Sequence, residues 1–161
     1  MRQPSFLRAR RFWHSAPLIA FVIALAASLT SAKSTDLDPK ALIYKLPDQI
    51  HWVDDPIGLK LAVLQGDPSK PGLYVALVKW PPHHFSHPHF HPNDRFITVL
   101  SGTWWVGTGP KFDTDSTVPL PPGTFVTHFA KQIHYDGAKD VETILEVVGD
   151  GPATTTPAET K

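Results

Sequence analysis

With 161 residues, 42% of them hydrophobic and 19% charged, the chain is long enough for one buried core and too short for two. Fifteen basic residues balance fifteen acidic ones and the one basic cluster lies in the first eleven residues, which argues against nucleic acid as a partner. The chain has no cysteine, so disulfides, thiolate ligands and a cysteine nucleophile are excluded, and any metal must be held by nitrogen and oxygen.

Residues 1–32 have the layout of a secretory signal: a head carrying Arg2, Arg8, Arg10 and Arg11, an apolar centre over 18–25, and a small polar end. Thr30 and Ala32 suit a signal peptidase, which places the cut before Lys33. The 19 uncharged residues 14–32 are also long enough for an uncleaved anchor, but Pro17 and the polar end favour cleavage. Arg10-Arg11 raises the twin-arginine route, although Phe12-Trp13 matches it poorly. The mature protein is therefore expected to be exported, periplasmic or secreted, with no stable membrane insertion.

Residues 33–53 read as an N-terminal arm, 54–149 as the domain, and 150–161, with three threonines in a row and two prolines, as a flexible tail. Strands are predicted at 59–64, 73–80, 87–91, 96–101, 103–106, 125–129 and 143–148, with turns at 66–68, 71–72, 107–110 and 119–123. Stretches such as 73–78 are apolar on both faces, which suits a sandwich or closed barrel. The fold class is all-β. Without disulfides, the domain relies on its own core, on a metal, or on self-association as a homodimer.

The chemistry is concentrated in 81–102. Five of the nine histidines, from His83 to His91, fall within nine residues. His87, His89 and His91 alternate, so on an extended strand their rings share one face and two can reach one ion. Pro88 and Pro92 interrupt ladder pairing and place that strand at an edge or rim. The competing reading is a solvated histidine loop capping aromatic neighbours. Trp104 and Trp105 follow on the next strand, one inward and one outward; they, Trp80 and Phe90 suit core packing better than a ligand platform. Tyr135 is a candidate acid or oxyanion donor, set against the commoner buried tyrosine with a satisfied hydroxyl.

The spacing His89-x-His91-x3-Arg95-x6-Gly102 resembles the first cupin motif, and Gly123-x5-Phe129-Ala-Lys131-x2-His134 resembles the second. The similarity is greatest to small single-domain cupins of the ChrR-like kind. It implies a double-sheet jelly-roll β-barrel and one divalent metal ion (Zn, Mn, Fe, Ni or Cu) on His89, His91 and His134, with His87 or His128 as a fourth ligand. Arg95 replaces the family's glutamate ligand, Phe129 and Lys131 its proline and glycine, and Ala138 its asparagine. A fixed cation about 5 Å from a divalent ion costs on the order of 7 kcal/mol at an effective dielectric near 20. Arg95 must therefore turn away into a surface ion pair or meet an anion, from Glu142, Glu146 or a small-molecule ligand. Two functions remain: a metal-dependent oxidoreductase resembling the three-histidine dioxygenases, with Arg95 holding the substrate anion, or an exported module that binds or senses a small molecule without turnover.

Overall fold

The computed structural model describes residues 37–160; the segment expected to be a signal lies outside them. Residues 37–42 form a separate unit, a single turn on Asp38. The unit from Ile43 onward holds twelve strands: β1 (Val53–Asp54), β2 (Lys60–Gln65), β3 (Gly72–Trp80), β4 (His84–Phe85), β5 (His89–Phe90), β6 (Arg95–Ser101), β7 (Trp104–Thr108), β8 (Val118–Leu120), β9 (Phe125–His128), β10 (His134–Ala138), β11 (Thr143–Gly151) and β12 (Thr156–Pro157). They form two antiparallel sheets. One runs β1-β2-β3-β11-β6-β9; the other runs β12-β5-β10-β7-β8, with β4 also paired to β10. This is the expected all-β jelly roll, and no described helix is long and apolar enough to cross a membrane.

Side-chain alternation explains the core. Along β11, Thr143, Leu145 and Val147 are buried while Ile144, Glu146 and Val148 between them are only partly so. Register carries that face across the sheet: Leu145 lies between Val78 and Val99, and Val147 between Ala76 and Ile97. The second sheet answers with Trp104, which is fully buried, and Ala138. Gly102 makes the turn from β6 to β7 at φ +75°, where a Cβ would run into the Glu142 carbonyl and the Thr143 side chain. The motif glycine is thus required by the backbone itself.

Most predicted strands appear within a residue or two of their expected bounds. The 87–91 strand shrinks to His89–Phe90, because Pro88 and Pro92 withhold ladder donors on either side. β10 was not predicted: His134-Tyr-Asp-Gly-Ala is too polar to read as a strand, yet it is buried along its whole length. The tail also departs from expectation. β11 continues to Gly151, Thr156 and Pro157 pair with Phe90 and His89, and the Ala158 and Thr160 amides donate to the Pro88 and Pro110 carbonyls. Backbone pairing holds this segment, which is why its composition gave no sign of order.

Candidate metal centre

His134 on β10 sits directly opposite His89 on β5, and His91 follows one residue beyond that strand. Each ring is fixed through Nδ1 by a backbone carbonyl: His89 on His87 at 2.7 Å, His91 on Thr154 at 2.9 Å, and His134 on Gln132 at 3.0 Å. A carbonyl only accepts, so each Nδ1 carries the hydrogen and each Nε2 presents a lone pair. The three lone pairs converge. His89 Nε2 and His91 Nε2 stand 3.2 Å apart, His134 Nε2 is buried without a partner, and the three ligand atoms lie within 4.8 Å of one another. Such a group could hold a metal ion; tetrahedral coordination at about 2.0–2.1 Å puts nitrogens roughly 3 to 3.5 Å apart, which small ring rotations supply. Carbonyls that pin the outer ring nitrogens are the usual support for such ligands.

Burial disfavours the charged form of His91 and His134, and the neutral form is the one a metal requires. Burial pushes His91 down to about 3, with the Arg95 charge adding to the effect, and lowers His134 in the same sense. His128 on β9 joins them. Its ring centroid lies 3.9 Å from that of His134, its Nε2 is buried without a partner, and burial pushes it down to about 4.

A row across the first sheet brings Arg95 into the site. Tyr74, Gly149, Arg95 and His128 occupy neighbouring positions on β3, β11, β6 and β9. Gly149 has no side chain, so the Tyr74 hydroxyl passes over it toward the guanidinium; a Cβ at Gly149 would lie 2.9 Å from that hydroxyl. Arg95 lines the interior cavity, and its Nη1 donates to His91 Nε2 at 2.9 Å. No salt bridge to Arg95 occurs among the described residues. Burial disfavours its charge, while Tyr74 and Asp136 favour it.

Asp136 was not singled out from the sequence, although the period-two rule places it on the face of His134. It is buried in the cavity wall, accepting from Ser86 Oγ at 2.6 Å and Trp104 Nε1 at 3.1 Å. Burial opposes its charge, but the surrounding imidazoles and Ser86 outweigh that and hold it below the usual carboxylate range.

Two expected site residues lie elsewhere. His87 points outward: it bonds Glu159 at 2.9 Å and stacks on Phe112 at 4.4 Å, because the backbone is not extended through Pro88. It is not a fourth member of the group. Tyr135, between two inward residues of β10, faces the other way and donates its hydroxyl to the Asp113 carbonyl at 2.9 Å. Its phenol is structural, and it has no place beside the metal ligands. Of the carboxylates considered for Arg95, Glu142 pairs with Lys79 at 3.3 Å, while Glu146 does not line the cavity. Trp104 and Trp105 divide as expected: the first packs on His128, while the second receives Lys139 Nζ at 4.0 Å over its ring.

The centre opens into a cavity of about 920 Å³ between the sheets. Its walls include Leu59, Ala76, Val78, Ile97, Leu145 and Val147. A double-sheet jelly roll with convergent imidazoles from a His-x-His strand and a later strand defines a cupin. The chain belongs to the family of the ChrR cupin-like domain, whose model matches residues 40–154. Among solved structures, the polyketide cyclase RemF from Streptomyces resistomycificus is similar at a TM-score of 0.61 and 16% identity, over 74% of this chain and 87% of that one. KdgF from Halomonas sp. gives 0.53 and 19%, over 65% and 91% of the two chains. The DMSP lyase DddQ from Ruegeria pomeroyi DSS-3 gives 0.53 and 19%, over 69% and 61%. At these identities the shared property is the fold. No curated protein sequence matches the chain.

Proposed function

We propose that the protein is an exported metal-dependent cupin enzyme, holding one divalent ion on His89, His91 and His134 and acting on a small anionic or chelating substrate. The observation that carries this reading is the convergence of three buried Nε2 lone pairs whose tautomers are fixed by backbone carbonyls. Two lone pairs 3.2 Å apart repel unless a cation or a proton lies between them. The ion, when bound, supplies a Lewis acid for a carbonyl, enol or carboxylate oxygen. The chain's own residues do the remaining work. Arg95 and Tyr74 hold the negative end of the substrate, the apolar walls exclude water, and the neutral His128 ring is placed to accept or return a proton. RemF, named a polyketide cyclase, and DddQ, named a DMSP lyase, are enzymes on this fold; the dioxygenase chemistry of three-histidine cupins is the alternative.

One observation favours the second reading, a binding or sensing module without turnover. Arg95 Nη1 already donates to His91 Nε2, so a guanidinium stands where a cation is wanted. Elemental analysis of the purified protein tests the metal, with about one ion per chain expected and His134→Ala expected to abolish it. Wild-type protein that takes up no zinc, manganese, iron, nickel or copper would end the proposal. Incubating the loaded protein with diketones, thiols and β-substituted carboxylates then separates enzyme from module: product supports the first, tight binding without product the second.

A further inference from the structure

We infer that the ligand of this centre is an amphiphilic monocarboxylate, with its head on Arg95 and Tyr74 beside the three histidines and its apolar body in the chamber between the sheets. The inference rests on the metal-centre reading above and adds the class of molecule that enters. Its first ground is the state of Arg95. A guanidinium has five N–H donors, and here one meets His91 Nε2 and the Tyr74 hydroxyl stands beside it. No carboxylate reaches it within salt-bridge distance among the described residues. Asp136, the one acid in the cavity wall near the histidines, has both oxygens engaged, by Ser86 and Trp104. A partly buried guanidinium with free donors in a fork matches a planar carboxylate, which it can bind through two parallel bonds.

The second ground is the shape and lining of the space beyond that head group. The cavity volume, about 920 Å³, is near the top of the usual range of ligand pockets, roughly 300–1,000 Å³. Tyr74, Ala76, Val78 and Trp80 point inward along β3, so the row from the carboxylate end to Trp80 covers about 20 Å of strand at about 3.3 Å per residue. Leu61 and Val63 of β2 and Leu145 of β11 flank it. Between Tyr74 and the Trp80 indole N–H this row offers a sugar's hydroxyls no side-chain partner.

Calorimetry on the zinc-loaded protein with acetate, butyrate, hexanoate and octanoate, together with hexanol, tests this. Affinity is expected to rise about fourfold per added methylene within the series, the fold-change that corresponds to ~0.8 kcal/mol of apolar burial. Hexanol is expected to bind about tenfold or more weaker than hexanoate, and Arg95→Met to remove that preference. Ala76→Leu, which leaves Arg95 in place, should flatten the chain-length series by filling the chamber. Equal affinity for acetate and octanoate, equal affinity for hexanol and hexanoate, or an unchanged acid preference in Arg95→Met would each overturn the inference. Zinc content separates the two readings. Stoichiometric zinc with a flat acid series defeats only this inference, whereas a steep, Arg95-dependent series in protein that holds no zinc defeats only the metal assignment.

Discussion

Arg95 stands in the cavity with its guanidinium on His91, and the consequence is electrostatic. In the cavity its guanidinium competes with a divalent ion twice, by donating to the His91 lone pair and by repelling the ion's charge. Arg95→Glu removes both effects and places an anionic oxygen near the histidines, so zinc affinity is expected to rise by about tenfold or more. Competition against a chromophoric chelator measures it. An unchanged zinc affinity would show that the guanidinium swings clear of the ion at no cost. The histidine pair was legible from its alternation, and His134 from the resemblance of its surroundings to the second cupin motif. Tyr74 was not: it reaches Arg95 from another strand, across a glycine that only the β3 and β6 registers with β11 bring between them. His87 was misplaced because alternation assigns a face only where the backbone is extended, which it is not through Pro88, and Tyr135 because β10 was not read as a strand, on which it faces away from His134.

At the scale of elements, the C-terminal segment is part of the centre. β12 pairs with the strand that carries His89, and the Thr154 carbonyl fixes the His91 tautomer. A chain ending at Gly151 should therefore keep the two sheets but lose the partner of His91 Nδ1, and zinc affinity should fall about 10- to 100-fold, as for loss of other carbonyl or carboxylate supports. Circular dichroism and zinc competition on the shortened protein check both halves. Full zinc affinity would mean that another acceptor serves His91 as well. Threonines and prolines after the last apolar strand read as a frayed end, because a backbone carbonyl makes the decisive contact and side-chain type does not record it. β10 escaped notice for a related reason. Its polar residues are buried with their hydrogen bonds satisfied by Ser86, Trp104, Gln132 and Asp113 rather than by hydrophobicity.

For the whole molecule, pH bears on three buried rings, His91, His128 and His134. The charged head, apolar centre and small-residue end of 1–32 predict that mass spectrometry of the exported protein finds an N-terminus at or near Lys33; an intact segment in a membrane-bound form would replace cleavage with anchoring. His91 and His128 are pushed down to about 3 and about 4 in the folded metal-free protein, and His134 is lowered too, whereas in the unfolded chain each regains an ordinary value near 6.5. Above that value both states are neutral at these rings and their linkage contributes nothing against folding. As pH falls below it, the unfolded chain takes up protons that the folded one refuses, and stability declines toward the folded values. Each ring contributes up to about 1.4 kcal/mol per pH unit, so three together threaten a domain whose total stability is typically about 5–15 kcal/mol. Urea unfolding with chelator present, at pH 7, 6 and 5, should show midpoints falling steadily across a range in which most carboxylates remain ionised. His128→Phe, which removes one ring and retains volume, should make that decline shallower. A midpoint that stays constant from pH 7 to pH 5 would mean that the buried imidazoles accept protons in place, and that neutrality at the centre is not enforced by the fold.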